Sequence, residues 1–308
     1  ARARLDGVAI RTPLLEYGQR GPSGAQVHLK LESLQPVGSF KARPIGNAVL
    51  VRDPAALAQG IYTASSGNSA LGVAWMAARL GIAATAFVPV GAPEAKLGPL
   101  RALGARIEIL PFPEWWDIIK ASGRAGQEGC YIDAVRDPAA IAGDGVIGLE
   151  ILEQLPDIDA IFAPFGGGGL IGGIACAVRA LRPDVKIIAC ELETAAPLTA
   201  AFRAGGPIEV PFETGFVSGV GVGSVLPEMW PLLRDYIDGT ITVPIAEVAG
   251  AIGTAARGNH VIAEGAGAIS IAAAMSGRHP YKRVCAVVSG GNLDSASLAR
   301  ILEGGVPG

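Results

Sequence analysis

The sequence predicts an α/β protein of two domains, each an open, mostly parallel twisted sheet flanked by helices, and three observations carry that expectation. The chain has 308 residues, enough for two cores when a domain usually takes about 100–150. Short β-rich runs alternate with longer runs of helical period, the pattern that lays parallel strands under covering helices. Glycine-bearing turns stand directly after several of the short runs, at the carboxyl ends of strands where open α/β sheets hold ligands. Half of the residues are hydrophobic and 17% are charged, the opposite of the balance that keeps a chain disordered.

The elements follow in order. Val27 to Leu31 reads as a strand, and Lys41 to Val51 as a helix behind the turn at Gly38-Ser39. Gly60 to Ala64 is a strand that runs into Ser65-Ser66-Gly67-Asn68, and Ser69 to Leu80 is an Ala-rich helix stopped by Gly81. Ala84 to Val88 is a strand, Glu94 to Leu103 a helix closed by Gly104, and Arg106 to Leu110 a strand. The second half repeats the habit: Ala160 to Ala163 is a strand, Gly166 to Gly169 a turn, Leu170 to Ala180 a helix and Lys186 to Cys190 a strand. Arg283 to Val288 is a last strand before Ser289-Gly290-Gly291-Asn292. A smaller domain is expected at residues 56–138, inserted into a larger one built from residues 1–55 and 139–308.

Several function classes drop out. A formal charge of −3 and the lack of any basic run argue against nucleic acid. Cys130, Cys176, Cys190 and Cys285 lie far apart, with no Cys-x-x-Cys pair and no histidine near them in sequence, so neither a metal cluster nor a disulfide framework is expected. The uncharged stretch Ala160 to Val178 has the length of a membrane span but holds Pro164 and six glycines, so it reads as strand, loop and helix, and no membrane partner is expected. The opening Ala1-Arg-Ala-Arg lacks the apolar run of a signal peptide, and the expected location is the cytoplasm.

Two constellations carry chemistry. In Gly166-Gly167-Gly168-Gly169, successive backbone N–H groups free of side chains can converge on a phosphate, and the following helix adds its positive end. The spacing is neither that of a dinucleotide fingerprint nor that of a P-loop, which suits a mononucleotide-sized or simple phosphate ester. Gly38-Ser-Phe-Lys-Ala-Arg43 sets Lys41 among apolar neighbours at the start of a helix, where a lysine suited to Schiff-base or general-base work would stand. A solvated surface lysine is the bland alternative for Lys41 taken alone, and a tight packing turn is the one for the glycines.

Taken together, Lys30 to Arg43, Ser65-Ser-Gly-Asn68, Val88 to Lys96, Gly166 to Leu170 and Ser289-Gly-Gly-Asn292 resemble, in that order, the pyridoxal-phosphate enzymes of the tryptophan-synthase-β type (fold type II). Within that group the chain is similar to the serine/threonine dehydratases and serine racemases. Arg11 to Leu15, Ile141 to Glu150 and Glu264-Gly-Ala-Gly-Ala268 are further matches, so the resemblance covers nearly the whole chain.

The resemblance implies roles. Pyridoxal 5'-phosphate would be the cofactor. Lys41 would be its Schiff-base lysine and then the base at the substrate Cα. Phe40 would pack beside the ring, Asn68 would hydrogen-bond the phenolic oxygen, and Gly166, Gly167, Gly168 and Gly169 would hold the phosphate. Ser289 would meet the pyridine nitrogen; a neutral partner makes the ring a weaker electron sink and favours prompt β-elimination. Ser65, Ser66, Gly67 and Asn68 would bind the substrate carboxylate. The expected activity is a dehydratase (ammonia-lyase) that turns a β-hydroxy amino acid such as serine, threonine or a bulkier aryl-serine into a 2-oxo acid and ammonia, in a homodimer.

Amino-acid racemisation is the alternative, with Ser66 as the acid opposite Lys41. A β-replacing synthase and a carrier that keeps the cofactor without turnover rank below it. Three departures from the family pattern stand out. Ser69-Ala-Leu71 replaces a usual His-x-Gln, Pro44 follows Arg43 where Gly is usual, and Pro197 replaces an acid that completes a divalent-cation site with Glu191 and Ala195 in some members. No metal is therefore expected.

Overall fold

The structure, a computed structural model describing residues 1–22 and 24–308, contains two parallel-rich sheets covered by helices. Among the described residues ten strands run β1 (Leu14–Arg20), β2 (Gln26–Leu31), β3 (Ile61–Ala64), β4 (Ala84–Pro89), β5 (Arg106–Leu110), β6 (Cys130–Tyr131), β7 (Ala160–Pro164), β8 (Lys186–Leu192), β9 (Gly239–Val243) and β10 (Arg283–Val288). One sheet has the order β1-β2-β10-β7-β8-β9 and the other β5-β4-β3-β6. Every pairing is parallel except β1 with β2. Only five residues separate β1 from β2, too short a link for the crossover that parallel neighbours need.

The chain divides into two compact units. The four-stranded unit consists of Ala1–Ile10 and Lys41–Gly143, and the six-stranded unit of Arg11–Phe40 and Asp144–Gly308. This division differs from the expected boundaries: residues 1–10, 41–55 and 139–143 fall with the four-stranded sheet. The packing gives the reason. Gly72, in the helix Asn68–Leu80, lies so close to the helix Ala42–Leu50 that a Cβ there would stand 2.5 Å from Ile45 Cδ1. Gly46 receives Val8 and Leu5 in the same way, and Asn47 donates to the Ala139 carbonyl at 2.6 Å while accepting from Arg4 at 2.9 Å.

In the six-stranded unit the inner strands are buried on both faces, and Val27, Leu29, Phe162, Ile188, Val284 and Ala286 pack against the helix Gly265–Met275, which is buried from Gly265 to Ala274. This buried stretch, made of Gly, Ala, Ser and Ile alone, can be enclosed on all sides because it brings one short hydroxyl and no charge into the core. In the four-stranded unit Tyr62, Phe87 and Ile118 form a smaller core, with the Tyr62 and Phe87 rings edge to face at 5.9 Å. Among the described residues no helix is long and apolar enough to cross a membrane. The four cysteines are free thiols; burial pushes Cys285 up to about 12 and also raises Cys190.

Candidate active site

In the four-stranded unit, Lys41 is the N-cap residue of the helix Ala42–Leu50 and its carbonyl accepts the first helical bond, from the Ile45 N–H at 3.2 Å. Pro44 is the third helical residue, where a missing N–H costs no intrahelical bond. Lys41 itself is half-buried, whereas Ala42 through Val49 are buried. The strand β3 ends at Ala64, and Ser65, Ser66 and Gly67 form the turn into the helix Asn68–Leu80. Ser65 is tied to the next strand through its N–H, which donates to Phe87 O at 3.0 Å, and its Oγ accepts from the Gly67 N–H at 3.1 Å.

This helix start has no side-chain cap. Its first N–H groups, with the dipole behind them, are a ready anion site of a size for a carboxylate. Nothing stands within 4 Å of where a Cβ on Gly67 would be, so the turn is open on that side. The helix also approaches the lysine: a Cβ on Gly72 would lie 3.4 Å from Lys41 O and 3.5 Å from Lys41 Cβ. Asn68 and Ser69 are four and three residues before Gly72 and share its face, while Leu71 points about 100° away. Ser69 and Leu71 are both half-buried and Ala70 is buried.

The six-stranded unit holds the other predicted residues at the carboxyl ends of adjacent strands. Ala286 of β10 pairs with Phe162 of β7, and Ser289 and Phe165 each follow directly on the last residue of these two neighbouring strands, the glycine run beginning one residue later. Gly168 caps the helix Gly169–Leu181 at φ 95°, a conformation that favours glycine, and no side chain caps this helix either. A Cβ on Gly166 would collide with the Gly219 carbonyl, and one on Gly168 would meet Leu233 at 3.0 Å. At these two positions a side chain would be obstructed or strained. Ser289 is 2% exposed and its carbonyl accepts from the Phe40 N–H at 2.8 Å, which seats the residue before Lys41 on the end of β10. The cradle, the uncapped helix start and the neighbouring hydroxyl together fit a phosphorylated pyridine ring.

Two supports were not legible as such in the sequence. The Glu264 N–H donates to Gly290 O at 3.0 Å, and Gly267 packs directly on that carbonyl, so the Glu264-Gly-Ala-Gly run clamps the turn that presents Ser289. A carboxylate followed by small residues was the available signal. The second support is a buried polar network. Lys30, fully buried, donates to Glu150 at 2.6 Å, Thr12 O at 2.8 Å and Gln154 at 2.9 Å; Thr12 donates to Glu32 at 2.6 Å and Gln35 to Glu32 at 3.1 Å. The Gly291 N–H then bonds Gly38 O at 2.9 Å and Asn292 bonds Val37 O at 2.9 Å, so Val37 to Phe40 is zipped onto the Ser289 turn.

Comparison with known proteins shows the family of the chain. The family described as "Pyridoxal-phosphate dependent enzyme" matches residues 5–290, and the chain belongs to it. An L-threonine ammonia-lyase of Geobacter sulfurreducens is 36% identical over 92% of this chain and 71% of its own length. Among solved structures, maize serine racemase superposes with a TM-score of 0.88 at 29% identity, covering 98% of this chain and 94% of that one. The processed threonine deaminase isoform 2 of Solanum lycopersicum gives 0.86 at 33% identity, covering 97% and 89%. The fold is thus that of the tryptophan-synthase-β-like enzymes, the cofactor is pyridoxal phosphate, and the protein is a lyase of this family.

Proposed function

We propose that the protein is an ammonia-lyase whose preferred substrate is L-threonine or a β-hydroxy amino acid with a larger apolar β-substituent, and that Phe40, Lys41, Ser65 to Asn68, Gly166 to Gly169 and Ser289 serve one reaction. The cofactor, when bound, supplies the electron-withdrawing ring that acidifies Cα. The uncapped N–H groups at the start of the helix Asn68–Leu80, with the Ser65 and Ser66 hydroxyls, hold the substrate carboxylate and so fix which face of Cα is presented. Lys41 Nζ removes the Cα proton. The Cβ–O bond then breaks, the hydroxyl departing as water, and hydrolysis of the unsaturated amine releases a 2-oxo acid and ammonia.

The observation that carries this reading is the close approach at Gly72, which brings an uncapped helix start and Lys41 side by side within one unit. The threonine preference draws support from the relatives named above and from Ser69, a small residue on the Lys41-facing side of the helix. The assay follows 2-oxo acid from L-threonine, L-serine and a β-aryl-serine. Lys41→Ala should lose turnover and the visible absorbance of bound cofactor after dialysis. A colourless wild type that takes up no pyridoxal phosphate would overturn the reading. The protein is further proposed to act as a homodimer in the cytoplasm, which light scattering and cell fractionation test.

A further inference from the structure

We infer that Glu191 anchors the helix Pro197–Ala204 and thereby fills, with the protein's own N–H groups, the place where some relatives hold a divalent cation, so that this enzyme folds and turns over without one. Glu191 is fully buried near the end of β8, paired in register with Thr242 of β9. Beyond it the chain turns back at once, the Ala195 N–H donating to Leu192 O at 3.0 Å. The helix then begins behind Ala196, which offers no side-chain cap, with Pro197 in its first position. Proline has no N–H to satisfy, so the exposed donors of this first turn are those of Leu198 and Thr199.

Both go to Glu191. The Leu198 N–H donates to Oε1 at 2.8 Å and the Thr199 N–H to Oε2 at 2.9 Å. The Thr199 hydroxyl adds a third bond to Oε2 at 2.6 Å and also hydrogen-bonds the Thr240 hydroxyl of β9 at 2.7 Å. The carboxylate therefore does from the neighbouring strand what an Asp or Ser would do at the N-cap, and its charge faces the positive end of the helix.

A divalent cation is excluded by the same geometry. Calcium requires six to eight oxygen ligands and magnesium six in octahedral array. Here the oxygens of the one acid are taken by donors whose positive ends would face the ion. Pro197 stands where a second carboxylate would be needed. Among the described residues, no three or more His, Cys, Asp or Glu side chains come together in a metal-binding group. The lack of a second acid and the capture of Glu191 by the helix both follow from one residue, since proline at the first helical position offers no ligand and pre-sets the turn that points Leu198 and Thr199 at Glu191.

The test uses thermal melting of the holoenzyme, a readout that stands whatever the substrate proves to be, with turnover as a second measure. After exhaustive dialysis against EDTA, the melting temperature should be unchanged on adding magnesium, calcium or manganese. Glu191→Gln, which sets an amide N–H₂ against a helix N–H, should melt at least ~3 °C lower in EDTA, and no cation should restore it. Thr199→Val should lower it in the same direction, and it serves if the Gln variant does not fold. A wild type stabilised by more than ~2 °C by any of these cations, or inactivated by EDTA and rescued by one, would overturn the inference. So would Glu191→Gln and Thr199→Val both melting with the wild type in EDTA.

Discussion

Replacing Lys30 by Met should be among the most damaging single changes outside the residues that touch cofactor or substrate. Lys30 has no exposed surface and gives its three protons to Glu150, Thr12 O and Gln154. Methionine matches the stem of lysine and leaves the Glu150 carboxylate, whose side chain is 6% exposed, without the cation 2.6 Å away. Breaking a buried pair by removing one partner costs about 3–5 kcal/mol, because the surviving charge is stranded. For a unit of roughly 200 residues each kcal/mol is worth about 2–4 °C, so the melting temperature should fall by roughly 6–20 °C. Removing the stranded charge as well, in Lys30→Met/Glu150→Leu, should recover a large part of that loss, since a buried pair replaced by apolar groups is often near neutral. Differential scanning fluorimetry of the two variants and of Glu150→Leu completes the cycle. A Lys30→Met protein melting within ~2 °C of wild type, or a double variant no more stable than the single, would refute the reasoning.

Three further outcomes follow from particular residues. If Ser66 is the acid on the face opposite Lys41, Ser66→Ala should abolish formation of D-enantiomer from an L-substrate while 2-oxo acid still forms; a wild type that makes no D-product, read by chiral chromatography, removes the racemase alternative altogether. Ser69→His should lower kcat/KM for threonine and aryl-serines relative to serine, each buried methylene being worth about 0.8 kcal/mol, whereas Leu71→Gln, on a different face, should leave the ranking alone. Burial, then Arg283, lowers the His28 pKa below its ordinary 6.5, so the unfolded chain takes up the proton first. The stability it confers is complete above pH 6.5 and is lost as the pH falls from there toward the folded-state value, and His28→Gln should flatten the decline in melting temperature between pH 7 and 5.5; an unaltered slope would count against it.

By itself the sequence determined the local grammar of this protein. The strand and helix runs from Val27 to Leu110 and from Ala160 to Cys190 stand in the structure within a residue or two of where period, glycine stops and β-branched residues put them. Each depends on interactions a few residues long: Gly81 ends its helix at φ 68°, and the proline at position 44 is tolerated because it falls in a first turn. The order of glycine-bearing turns was likewise legible, since a phosphate cradle must be built from residues without side chains, and such residues are visible in any one sequence. What only the tertiary structure decided concerns pairs distant along the chain. Nothing local distinguishes Lys30, buried against Glu150 120 positions away, from a lysine on a wet strand face. Nor does local pattern say that Lys41 packs with the four-stranded unit, which depends on Gly72, Gly46 and Gly143 lacking side chains where other chain segments pass. For Glu191 the sequence argues against an ion, since Pro197 stands in place of a second acid, but does not say what the carboxylate does instead, which rests on the donors that the fold brings to its two oxygens.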